Sequence, residues 1–193
     1  MKSIRNNKNK FGFTLVETLV ALSVVMVGLM AAFSVAQSGV SSSSFAKDRI
    51  TAFFLAQEAI EAVKNRRDHN LLLSNAGTQT NWLEGITIQG GLPGPCAGGN
   101  SCDFDLTAKL EDPSSADSFQ SCEILGGCVL QNVSNPLSPG QHYYGYGVGA
   151  NSKFTRQIII EEFDGFEASV RIIVTWNNGA HEFETMSYIF NWF

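Results

Sequence analysis

The chain has 193 residues, 44% hydrophobic and 11% aromatic, which is enough apolar material to bury a core, and a formal net charge of −5. Lys2, Arg5, Lys8 and Lys10 fall in the first twelve residues, which hold no acid; the other nine of the 13 basic residues face 18 acids, so the remainder stands near −9. That balance argues against a phosphate-reading surface, whose affinity comes from clustered Lys and Arg, so no nucleic-acid partner is expected. The one adjacent basic pair past residue 12, Arg66-Arg67, reads as a helix C-terminus complementing its dipole.

Residues 1–12 are polar and basic without apolar periodicity. Residues 13–36, FTLVETLVALSVVMVGLMAAFSVA, are almost wholly apolar and long enough to cross a bilayer, which takes ~20 residues. Lysines before the span and few charges after it place the N-terminus in the cytoplasm and the rest outside. A cleavable secretory signal is the alternative, but its apolar stretch is typically about 7–15 residues. Glu17 stands inside the span, where a carboxylate is costly and is by default a functional residue; the plainer reading keeps it hydrated near the interface.

Lys10-Phe11-Gly12-Phe13-Thr14-Leu15-Val16-Glu17 resembles the prepilin N-terminal motif of type IV pilins and type II secretion pseudopilins. The resemblance implies a basic leader cut by prepilin peptidase after Gly12, methylation of the new N-terminal Phe13, and Glu17 as the fifth residue of the mature chain. It also implies four partners: the peptidase, the lipid bilayer before assembly, a membrane assembly platform, and other pilin subunits in a filament. The final location would be an extracellular pilus or a periplasmic pseudopilus. Many pilins have a proline about two-thirds along the apolar segment; here only Gly28 and Gly39 are weak points. Among packed apolar helices, Glu17 would offset the desolvation of a neighbouring subunit's amine and so select register.

Residues 37–68 continue the helix as an amphipathic half. Ile50, Phe53, Phe54, Ile60 and Val63, with alanines and Leu55 between them, form the expected core stripe, and Lys47, Asp48, Arg49, Glu58, Glu61 and Lys64 the opposite face. No proline interrupts residues 13–68, so one helix of about 80 Å is predicted.

Residues 69–152 are irregular and punctuated by Gly, Pro and Asn, with strand-like runs at 85–88 and 104–108. Cys96, Cys102, Cys122 and Cys128 lie here as two pairs of equal spacing. An even count in an exported domain suggests disulfides; three connectivities are possible, the local one being simplest, and a four-thiolate zinc site is the rival despite wider spacing than structural zinc sites use.

Residues 153–193 hold three β-branched and aromatic runs separated by Asp164-Gly165 and Asn178-Gly179, dipeptides that suit two-residue hairpin turns. A three-stranded meander follows, with Val174 opposite Phe183 and Trp176 opposite His181, and with Phe166, Ala168, Val170, Ile172, Val174 and Trp176 on one apolar face. An Arg-x-Ile strand, a Val-x-Trp strand and a final Asn-Trp make this ending similar to minor pilins of the pilus-modification kind and to small pseudopilins.

His69, His142 and His181 are isolated, and no nucleophile elbow, zinc-protease or phosphate-loop motif occurs. No catalytic residue, metal or cofactor is predicted. Tyr143-Tyr144-Gly145-Tyr146 reads either as a ligand-stacking cluster, on an adhesive or DNA-binding tip, or as half-buried strand positions. The expected fold class is α+β, a long N-terminal helix packed on a C-terminal antiparallel sheet. The expected function is a filament subunit, a minor pilin or a pseudopilin.

Overall fold

A computed structural model describes residues 12, 14–105, 118–135 and 140–192. Residues 1–11 of the leader, Phe13 and the 106–108 end of one expected strand lie outside the described residues. The chain divides into two compact units, Met1–Lys47 and Asp48–Phe193.

Helix α1, Leu15–Asn75, supplies the described part of the first unit and the start of the second. Through the first unit its side chains are exposed, Leu15, Val25, Leu29 and Phe33 among them. It is long and apolar enough to cross a membrane. Three of its hydroxyls bond back to the helix, Thr18 to the Leu15 carbonyl at 2.8 Å, Ser23 to Val20 at 2.8 Å and Ser38 to Ser34 at 3.0 Å. Self-satisfied polar groups are what an apolar medium demands.

In the second unit the helix packs on an antiparallel sheet. Strands β1 (Ile88–Gln89) and β2 (Leu92–Pro93) form a small ribbon. Strands β3 (Cys102–Asp105), β4 (Ser118–Ser121), β5 (Val129–Ser134), β6 (His142–Gly145), β7 (Gly149–Glu162), β8 (Glu167–Trp176) and β9 (His181–Phe190) form one seven-stranded sheet. The fourteen-residue β7 is its spine. One edge of β7 pairs with β8, and β8 with β9; the other takes β5-β6 along its first half and β3-β4 at Ile158. The meander is therefore three strands of seven. The other four are short pieces of the region read as irregular, and runs of four to six residues between glycines show too little alternation to be recognised.

Val174 pairs with Phe183 and Trp176 with His181, the expected register. Asn178 (φ 56°) and Gly179 (φ 82°) form the tight turn that permits it, closed by Ala180 N–H donating to the Asn177 carbonyl at 3.2 Å. The other hairpin differs by one residue. Asp164 Oδ1 accepts from the amides of both Phe166 and Glu167 at 2.8 Å, which draws Phe166 into a three-residue loop. Phe166 is consequently exposed instead of continuing the apolar face of β8.

The helix face is also corrected. Ala52, Leu55, Ala56, Ala59, Ala62 and Val63 are buried, while Ile50, Phe53 and Phe54 stay largely exposed and Asp48 is buried. The sheet fills this layer with Trp176, Phe154, Ile158, Ile160 and Ile172, so the helix must approach on its small residues. Asp48 is held by Lys153 Nζ at 2.5 Å. Beyond the expected end at 68 the helix continues to Asn75, because Arg66 and Asn70 find partners there: Arg66 Nε donates to the Glu84 carbonyl at 3.0 Å, and Asn70 to those of Trp82 and Glu84 at 3.1 and 2.9 Å. Arg66 thus holds a loop and does not serve as a terminal dipole partner.

Candidate functional site: the N-terminal segment and the buried Arg156 cluster

Thr14 caps α1. Its Oγ1 accepts the Glu17 backbone N–H at 3.3 Å, and Thr18 N–H donates to the Thr14 carbonyl at 3.2 Å. Thr14-Leu15-Val16-Glu17 has the threonine-to-glutamate spacing of a capping box, a signal the sequence reading overlooked. Glu17 sits in the first helical turn, where the helix dipole favours a negative charge. Gly12 is exposed just before this start, with open space around its Cα. The described segment offers an exposed Gly12 and a well-started apolar helix whose first turn carries one carboxylate.

The second unit holds a polar cluster that sequence reasoning missed. Arg156 on β7 and Asp103 on β3 are both fully buried, and the Arg156 Nε–H is shared between the two Asp103 oxygens at 2.9 and 3.0 Å. Arg156 Nη1 donates to Glu58 of α1 at 2.7 Å and to the Leu55 carbonyl at 3.4 Å, and the guanidinium lies over the Phe104 ring at 4.2 Å. Tyr146 O–H donates to Asp103 at 2.6 Å, and the Phe104 amide donates to it at 2.9 Å. The signal was present in FTRQIII: Phe154, Arg156, Ile158 and Ile160 share the buried face of β7, so an arginine occupies a core position.

Burial pushes the Asp103 carboxyl up, opposed by the Arg156 charge and the bonds donated to it. Burial also works against the Arg156 charge, but Asp103 and then Glu58 outweigh it and hold the guanidinium above its ordinary value. The two directions pull apart, and the bonding decides between them: with a guanidinium, a hydroxyl and an amide all donating to it, Asp103 is the anion of a charge-assisted pair. The Tyr146 hydroxyl is pushed up, first by burial and then by Asp103. Arg156, Asp103 and Tyr146 are enclosed by protein while Glu58 reaches the surface, so the cluster ties helix to sheet.

The structure pairs Cys96 with Cys102 and Cys122 with Cys128. All four sulfurs are thereby used, which leaves no thiolate for zinc. His69, His142 and His181 lie on α1, β6 and β9, and among the described residues no group of His, Cys, Asp or Glu is arranged to hold a metal. Of the tyrosine cluster, Tyr146 is taken by Asp103, and Tyr144 packs edge-on against Phe154 at 5.4 Å.

These features define a chain whose one long apolar N-terminal helix fits a single-pass membrane anchor and whose second unit is a disulfide-bearing α+β fold. The family model of the prokaryotic N-terminal methylation motif matches residues 7–33; this is the type IV pilin and prepilin signature, and it supports a pilin-like or pseudopilin precursor. That motif implies processing by prepilin peptidase and assembly into pilus-like filaments with other pilins. No curated protein and no solved structure matches.

Proposed function

We propose that this chain is a minor subunit of a type IV pilus or a related filament. Prepilin peptidase cuts between Gly12 and Phe13. The apolar part of α1 then holds the subunit in the inner membrane, N-terminus in the cytoplasm and second unit outside, until assembly platform and neighbouring subunits draw it into the fibre. The observation that carries this reading is the methylation motif at residues 7–33 running directly into a helix whose apolar side chains are uncovered. Such a surface requires lipid or other helices around it. Two disulfides suit an oxidising compartment and so support export of the second unit. Glu17, in the first turn, is the partner for a neighbouring subunit's new amine. The role is structural, and the Arg156 cluster serves it by fixing the helix to the sheet. The test is the chemical identity of the N-terminus in the membrane-extracted protein, together with recovery of the chain in sheared filaments.

A further inference from the structure

The face of the sheet turned away from α1 carries an apolar field that the fold leaves uncovered. Met186, Tyr188 and Phe190 stand on this face of β9, opposite Arg171, Ser169 and Glu167 of β8. Trp192 extends the row past the end of the strand, and Phe163 and Phe166 of the β7–β8 hairpin border it. Each of these six is 36–68% exposed. They form one surface: the Phe163 and Tyr188 rings are 6.3 Å apart, those of Phe190 and Trp192 5.4 Å, and Asn191 N–H donates to the Phe166 carbonyl at 2.8 Å. Among the described residues β9 pairs with β8 alone, so the field ends at a free strand edge.

Its size calls for a partner. Large side chains of about 150–250 Å², roughly half uncovered, amount to on the order of 600 Å². That is at the top of the ~300–600 Å² range for the largest patch on a monomer, and close to the ~800 Å² one side of a stable interface buries. Its rim selects the partner. Glu182 and Glu184 continue the same face of β9, Glu161 borders it from β7, and all three are exposed. The nearby cation, Arg171, is already within 3.4 Å of Glu161. A second copy meeting this face symmetrically would set one acidic rim against another.

Building on the filament reading above, we infer that this face docks a different subunit of the same filament, one presenting an apolar surface rimmed by lysine or arginine. The test uses the full-length chain in the producing cells, with the photoreactive residue p-benzoylphenylalanine at position 188, or at position 124 on an exposed loop as control. Irradiation followed by mass spectrometry is expected to join position 188, and not 124, to another protein bearing an N-terminal methylation motif. The combined Glu182→Lys and Glu184→Lys substitutions are expected to cut that product at least fivefold. Intact disulfides in the variant show that it still folds. A product with a second copy of this chain, with lipid alone, no product, or no effect of charge reversal overturns the inference. If these negative results occur while the chain is cut at Phe13 and present in filaments, only the docking face is wrong. If the chain is not cut there, the filament reading fails and takes this inference with it.

Discussion

Arg156 and Asp103 share one hydrogen at 2.9 and 3.0 Å inside the second unit, between a strand that is the spine of the sheet and one that joins it at a single residue pair. Little backbone bonding holds β3 to β7, so the ion pair and the Cys96–Cys102 bond fix that corner. Removing one partner of a buried pair leaves the other charge uncompensated, which costs about 3–5 kcal/mol. Arg156→Met in the detergent-solubilised full chain should lose that much in urea unfolding. The double variant Arg156→Met, Asp103→Leu should recover at least half, since the fully buried carboxylate is then gone and Glu58, which loses the same partner, is 37% exposed and can turn to water. A single variant within about 0.5 kcal/mol of the parent, the ordinary scatter for surface changes, contradicts this account of the cluster.

Tyr146 gives the pH dependence. Its hydroxyl is held neutral in the folded state, with its pKa raised by burial and by Asp103. A group raised on folding contributes stability that is complete below its unfolded value and is lost as pH rises. The window therefore opens near pH 10, about where an unfolded tyrosine ionises. There the native state keeps a proton that the unfolded state releases, and stability falls by up to ~1.4 kcal/mol per pH unit from this group. Between pH 9 and 11, Tyr146→Phe should start less stable and decline less steeply. Parallel declines would show that Tyr146 is not the titrating group.

Each disulfide closes a loop with a sequence separation of six, worth about 2 kcal/mol by loop entropy. Cys96, Cys102 and Cys128 are fully buried and Cys122 nearly so. Reductant should therefore leave both bonds intact in the folded chain, with thiols appearing only as urea unfolds it. Mass spectrometry after alkylation reads this directly, and rapid labelling of any cysteine in the native chain contradicts it.

The sequence made the ends of the molecule plain and its centre obscure. The meander was legible because Ala168, Val170, Ile172, Val174 and Trp176 alternate without a break, and because Asn178-Gly179 allows one tight turn. The Asp164 hairpin misled because its geometry comes from a side chain accepting two amides, which a dipeptide rule does not contain. The helix face misled for a different reason. Hydrophobic size marks Ile50, Phe53 and Phe54 as core, whereas the face that meets the bulky sheet surface is built mainly of alanines, with Leu55 and Val63. The Arg156 cluster joins residues 58, 103, 146 and 156, and no local pattern carries contacts of such separation.

At the N-terminus the magnitudes separate two roles for Glu17. Its favourable position in the first turn of α1 is worth about 0.3–1 kcal/mol to the helix, too little to decide whether a long apolar helix forms. Loss of a desolvated partner for a neighbour's amine costs several times more. Glu17→Ala should therefore be cut after Gly12 as the parent is, yet fall at least tenfold in sheared filaments, with Glu17→Asp recovering part of the loss. Parental levels of the alanine variant in filaments would remove Glu17 from assembly.

The most direct measurement is the intact mass and N-terminal sequence of the chain extracted from membranes of producing cells. The account predicts loss of residues 1–12 and a methylated Phe13 at the new N-terminus. A chain that keeps Met1, or one cut within or after the apolar part of α1, contradicts it.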